Sequence, residues 1–310
     1  MSQGSTLVDI YRAEGVRRVK IGFTDIDGVM RGKYLSLDKF ASIADGTSGF
    51  CDCVFGWDVD DQLYDNASYT GWHTAFPDAT YRIDLSSERR LADEQNIPLF
   101  LADFVGEGEY HPICPRNQLK RMIDRASSAG FASRMAFEYE FFVFKETPAS
   151  AAAKHYRDLE PLTPGNFGYS LLRTFSLSDL FNELMDHCAN HGINLEGLHC
   201  ETGPGVWEAA ITVDDALAAA DQAVLFKVLT KSFFQKRGMI ATFMAKWSMD
   251  YPGQSGHLHQ SLMTTDGVRS AFFDDQDPSG MSDLMRHYVA GIQTHLPALL
   301  AMTAPTINSY

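Results

Sequence analysis

Phe137-Glu138-Tyr139-Glu140-Phe141-Phe142 is the stretch on which the reading of the fold turns. It lies within residues 133–144, which read as a β-strand, and two carboxylates interrupt its otherwise apolar run. Successive side chains of a strand point to opposite faces. Glu138 and Glu140 therefore share one face, while Phe137, Tyr139 and Phe141 share the other. Like charges this close repel and push a carboxyl pKa up unless something positive intervenes. The plain alternative is an amphipathic strand with one wet face.

Two further segments extend the pattern. His199-Cys200-Glu201-Thr202-Gly203-Pro204-Gly205-Val206-Trp207-Glu208 reads as strand, Gly-Pro-Gly turn and strand. In a tight hairpin Glu201 and Glu208 approach each other on adjacent strands. A surface hairpin with two solvated acids is the alternative. Gly253-Gln254-Ser255-Gly256-His257-Leu258-His259-Gln260-Ser261 sets two imidazoles at i and i+2 behind a glycine-bearing loop. A lone histidine is usually structural; such a pair is more suggestive. Four carboxylates and one or two imidazoles on three strands make a candidate divalent-metal cluster. Its oxygen-rich donor set suits Mg²⁺ or Mn²⁺ better than Zn²⁺. Two hard cations among carboxylates are the usual equipment for handling a nucleoside triphosphate.

Around these strands the chain reads as a small mixed domain followed by a larger α+β domain. Residues 1–15 read as a short helix. Residues 16–25 and 29–37 read as a hairpin about Asp27-Gly28, and 38–44 as a short helix. Residues 46–82 lack a clean period and read as long ordered loops with short strands. Residues 98–104 read as a strand, and the Pro- and Gly-rich 106–115 as a linker. Helices are expected over 116–129, 178–191, 214–237 and 282–295, with Gly130, Gly192 and Gly238 just past the ends of the first three. A polar loop is expected over 146–169, and strands over 239–246 and 256–263.

The 310 residues carry 26 Lys and Arg against 40 Asp and Glu, a net charge of −14. That balance argues against a broad nucleic-acid surface, which needs clustered cations. The five cysteines, Cys51, Cys53, Cys114, Cys188 and Cys200, form no C-x-x-C pair and read as buried reduced thiols. The N-terminus shows no secretory pattern, and no apolar run approaches a membrane span. The expected setting is the cytoplasm, with no membrane partner.

Taken in order, these motifs resemble the glutamine synthetase family, in particular its type I and γ-glutamyl-amine ligase branches. The E-x-E strand, the H-x-E…E hairpin and the G-x-x-x-H-x-H strand carry the likeness. Asp27-Gly28-Val29-Met30-Arg31-Gly32-Lys33, Cys114-Pro115-Arg116, Ala241-Thr242-Phe243-Met244-Ala245-Lys246 and Asn308-Ser309-Tyr310 support it. The resemblance implies an α+β fold: an N-terminal helix (1–16), a β-grasp domain (17–110), and a catalytic domain (111–310) with a curved antiparallel sheet flanked by helices. Carried over by position, Glu140, Glu201 and Glu208 would hold one metal, and Glu138 and His257 a second. His259 and Ser261 would lie at ATP, and Gly253 and His257 at glutamate.

Asp52, in Gly49-Phe50-Cys51-Asp52-Cys53-Val54, stands where the family has its ammonium loop, usually D-G-S-S. The amine is therefore expected to be ammonia or a larger amine. The implied reaction converts the γ-carboxylate of glutamate to an acyl phosphate with ATP, after which the amine expels phosphate. Two Mg²⁺ or Mn²⁺ ions and a homo-oligomeric ring, up to a dodecamer, go with it. The family continues past the N-S-Y motif into a segment bearing phosphate-gripping arginines. The chain is thus expected to be a C-terminally truncated form with little or no ligase activity alone. Three rival readings are an inactive homologue serving in assembly or binding, a guanidino-kinase-type phosphotransferase and, last, a metal-dependent hydrolase.

Overall fold

The computed structural model describes residues 2–108 and 110–309. Tyr310, the last member of the N-S-Y motif, lies outside the described residues. The chain divides into two compact units, one running to Asp124 and including Asn190–Gly192, the other comprising Arg125–Ala189 and the residues from Ile193 on.

The first unit holds α1 (Gln3–Ala13), β1 (Arg18–Thr24), β2 (Met30–Ser36), α2 (Leu37–Ile43), β3 (Ser48–Cys51), β4 (Asp78–Leu91) and β5 (Ile97–Phe104). The Ser2 and Ser36 hydroxyls cap the two helices by accepting the backbone N–H three residues on. The strands run in the order β2-β1-β5-β4-β3, with β1 and β5 parallel and the other pairs antiparallel. The β1–β2 hairpin turns at Asp27-Gly28, where Gly28 takes a left-handed φ of 75°. Tyr11, Phe23, Phe40, Tyr81, Phe100 and Phe104 fill the core, each at most 1% exposed. The 14-residue β4 was not legible in the sequence. Its residues alternate only loosely, and a register break between Asp84 and Arg89 interrupts its pairing with β5.

α3 (Pro115–Ser128) leads out of this unit. Its Arg116 guanidinium is buried and bridges Asp84 at 2.8 Å and Asp103 at 2.9 Å, and Lys120 pairs with the same two carboxylates.

The second unit follows the chain through β6 (Phe131–Phe144), α4 (Pro148–Ala153), α5 (Leu171–Ser176), α6 (Ser178–Asn190), β7 (Leu195–Cys200), β8 (Val206–Ile211) and β9 (Asp214–Asp215) to α7 (Ala216–Gln235), β10 (Ile240–Thr242), β11 (Gly256–Thr264) and α8 (Asp283–Thr303). β6 is the spine of an all-antiparallel sheet. It pairs with β8 and β9 along one edge and with β10 and β11 along the other, while β7 extends the sheet beyond β8. α7 lies against the aromatic face of β6, where Phe226 meets Tyr139 and Phe141 and Phe234 meets Phe141. That face is dry enough to push the Tyr139 phenol up to about 12.

Four local expectations are corrected. The strand expected over 239–246 shrinks to Ile240–Thr242, because β11 takes the same edge of β6 up to Tyr139 and leaves β10 only Phe142 to Phe144. Within the loop expected over 146–169, α4 forms under a capping box of Thr147 and Ser150. The helix expected to end at His295 runs on through Pro297, which costs one backbone bond rather than the helix. Of the five thiols, Cys114, Cys188 and Cys200 are buried, but Cys51 and Cys53 are only half-buried.

Candidate metal centre

Cross-strand partners share a face of a sheet, so register decides which polar groups meet. Glu140 of β6 stands opposite Glu208 of β8, and Glu208 stands opposite His199 of β7. One residue pair along, Glu138 stands opposite His257 of β11. Two rows of acid and imidazole thus cross the sheet on the face opposite α7. The β7–β8 turn makes this possible: Gly203 and Gly205 adopt φ of 139° and 72°, and Glu201, just past β7, donates its N–H to the Val206 carbonyl at 3.0 Å.

Two trios of ligand atoms result, each within 4.8 Å: Glu138, Glu208 and His257, and His199, Glu201 and Glu208. Glu208 belongs to both. The His199 Nε2 lies 3.1 Å from Glu201 and 3.2 Å from Glu208. The His259 Nε2 lies 3.0 Å from Glu138. Glu140 joins neither trio among the described residues, because its carboxylate accepts the Ser255 N–H at 3.0 Å and the Ser255 hydroxyl at 3.3 Å.

The electrostatics follow from this crowding. Burial raises the Glu208 carboxyl, His199 partly offsets it, and Glu140, Glu138 and Glu201 raise it further. Glu201 goes the other way: burial raises it, but the Thr202 N–H, His199 and Tyr169 hold it below the usual carboxylate range. Among the described residues the ion-pair partners of Glu138, Glu201 and Glu208 are histidines. A face with four carboxylates, three imidazoles and, among the described residues, no lysine or arginine pairing lacks a fixed compensating charge. Oxygen donors with imidazole at the margin are the donor chemistry of Mn²⁺ or Mg²⁺, so the residues present fit such ions.

The other residues singled out from sequence lie as follows. Gly253 sits in the loop before β11, where a Cβ would fall 2.8 Å from the Ala245 carbonyl oxygen, so only glycine fits. Ser261 lies on β11 in register with Arg134. Asp52 belongs to the first unit, in a single 3₁₀ turn after β3; it is buried, and the Thr70 hydroxyl donates to it at 2.5 Å.

Two residues escaped the sequence reading. His199 carried the needed signal, since it shares i, i+2 parity with Glu201. Tyr169 carried none: it sits in an irregular segment, holds a left-handed φ of 56°, stacks on His199 with ring centroids 4.5 Å apart, and has its phenol raised by the neighbouring Glu201 charge. Such a backbone on a bulky residue marks a constrained site.

Fold and site together define an α+β protein whose antiparallel sheet presents a carboxylate–imidazole face suited to divalent cations. Residues 112–310 match the family description "Glutamine synthetase, catalytic domain". The chain belongs to the glutamine synthetase family. It is 47% identical over 293 residues to type-1 glutamine synthetase 2 of Dictyostelium discoideum, covering 94% of this chain and 56% of that one. It is 35% identical over 305 residues to the glutamate–isopropylamine ligase of a Pseudomonas species, covering 97% of this chain and 66% of that one. The solved structure of GmaS without ligand superposes with a TM-score of 0.83 at 26% identity, over 98% of this chain and 67% of that one. The chain thus spans between about half and two thirds of the length of the relatives it matches. No helix among the described residues is long and apolar enough to cross a membrane.

Proposed function

We propose that this chain carries the metal- and nucleotide-binding face of an ATP-dependent ligase that joins ammonia or a small amine to the γ-carboxylate of glutamate. The observation that carries the reading is the pair of ligand trios sharing Glu208 on one sheet face. In this reading His199, Glu201 and Glu208 hold one Mg²⁺ or Mn²⁺, with Glu140 beside them, and Glu138, Glu208 and His257 hold the second. Bound there, the cations supply positive charge where two anions, triphosphate and carboxylate, must meet.

The chain's own groups do the rest. Glu140 holds the Ser255 end of the loop before β11, which orients Gly253 and the imidazoles that follow it. His259, held by Glu138, stands with Ser261 toward the nucleotide, and Gly253 lets backbone approach the glutamate. The glutamate γ-carboxylate displaces ADP from the γ-phosphorus. The amine, having given its proton to an acidic group, Asp52 in this reading, then displaces phosphate from the acyl carbon. We further read the five-stranded sheet, with its central parallel β1–β5 pair, as a β-grasp domain over 17–110, the catalytic domain as starting at 111, and the assembly as a homo-oligomeric ring.

The test is nucleotide binding by the 310-residue chain, titrated calorimetrically with a non-hydrolysable ATP analogue. Binding is expected with Mn²⁺ present, at least ~10-fold weaker in Glu138→Gln, and lost in chelator. Equal affinity in chelator and in Mn²⁺ contradicts the reading.

A further inference from the structure

Cys51 and Cys53 flank Asp52 at the junction of β3 and the following 3₁₀ turn. They are the two thiols among the five that are not buried. The Cys51 thiol donates to the Phe76 carbonyl at 3.6 Å and is near enough to the Cys53 thiol to help raise it. The segment is also held on both sides: the Asp52 N–H donates to the Pro77 carbonyl at 3.0 Å, the Gly56 N–H to Cys53 at 2.8 Å, and the Thr70 hydroxyl to the Asp52 carboxylate. The helical backbone at Asp52 draws the flanking α-carbons into the range disulfides use, roughly 4.4–6.8 Å. A rigid backbone that already seats two thiols together removes most of the closure entropy of a bond between them.

We propose that Cys51 and Cys53 are a modification site: a dithiol that closes into an intramolecular disulfide around Asp52 when it meets a hydroperoxide. In the first step one thiol sulfur attacks the peroxide, its O–O bond breaks, and a sulfenic acid and water form. In the second the other thiol attacks the sulfenic sulfur, the S–S bond forms and a second water leaves. The two sulfurs together lose two electrons and two protons, and the peroxide is reduced to water. Burial, then the neighbouring Cys51 thiol, pushes Cys53 up to about 12, which disfavours its thiolate and makes Cys51 the sulfur oxidised first. The ring then encloses Asp52 and constrains the carboxylate that Thr70 now positions. The proposal stands apart from the ligase reading, since the bond forms or fails to form whatever the chain catalyses.

The experiment treats the native 310-residue chain with hydrogen peroxide, quenches with an alkylating reagent and maps peptides by mass. The peptide bearing both residues is expected to lose two hydrogens and resist alkylation before Cys114, Cys188 or Cys200 changes, and dithiothreitol should reverse it. Closure should be at least roughly tenfold faster in the folded chain than in the urea-unfolded one, because the fold brings the sulfurs together. In Cys53→Ser the loss of two hydrogens should vanish and a dimedone adduct appear at Cys51. Circular dichroism of the variant checks that it folds, and the folded-against-unfolded rate of the wild type reads the same claim without any variant. Equal rates folded and unfolded, intermolecular disulfides, or sulfinic acid at either residue without loss of two hydrogens would each overturn the proposal.

Discussion

Two groups of carboxylates in this chain have opposite electrostatics. In the first unit Asp84 and Asp103 share a buried guanidinium, Arg116, and an ammonium, Lys120. Burial alone would raise Asp84. The Ser86 hydroxyl, Arg116 and Lys120 outweigh it and bring its pKa down to about 2. In the second unit Glu138, Glu140, Glu201 and Glu208 have no lysine or arginine partner among the described residues, and Glu208 is pushed up instead. A carboxylate with a resident cation is a structural element, whose charge is satisfied by the fold. A group of carboxylates whose ion-pair partners among the described residues are imidazoles has no permanent cation, and its donor set fits a cation from outside.

Substitution should separate the two groups. The largest effect is expected from Arg116→Met, which keeps volume and removes the charge shared by Asp84 and Asp103. Lys120 remains, so the loss should be about 3 kcal/mol of unfolding free energy, read by urea denaturation. A loss under ~0.5 kcal/mol would mean the network is ornamental.

Acid is the next probe. The Asp84 pKa is depressed in the folded state, so its contribution is fully present above the ordinary carboxylate value near 4 and is lost as pH falls toward about 2. Stability should drop by on the order of 2 kcal/mol across that window, and Asp84→Asn should flatten the drop. A wild-type curve that matches the variant's would contradict the assignment.

The smallest effect should come from Glu208→Gln without metal. Removing one charge from a repelling group, at the cost of one contact to His199, should leave stability within about 0.5 kcal/mol of wild type. A loss as large as that of Arg116→Met would erase the distinction between the two groups.

Much of the candidate site was legible because strand parity and glycine chemistry are local. Glu138 and Glu140 share a face by period alone, and Gly203 and Gly205 announce the turn that carries Glu201 past Glu208. What period cannot give is register. Glu208 stands opposite both Glu140 and His199, which brings His199 beside Glu201 and Glu208, while Ser255 engages the Glu140 carboxylate. β4 was hidden by its register break, and Tyr169 by an irregular backbone that no pattern announces. Long-range pairing and strained loops are where sequence reading ends, and both sit at the site.

In the proposed site Glu208 serves two cations at once. Mn²⁺ titration of the 310-residue chain, followed by electron paramagnetic resonance of the free ion, reads that sharing. Two bound ions per wild-type chain are expected, with binding of both weakened at least ~10-fold in Glu208→Gln, and of one selectively in Glu201→Gln and the other in His257→Ala. Wild-type and Glu208→Gln curves that coincide would contradict it.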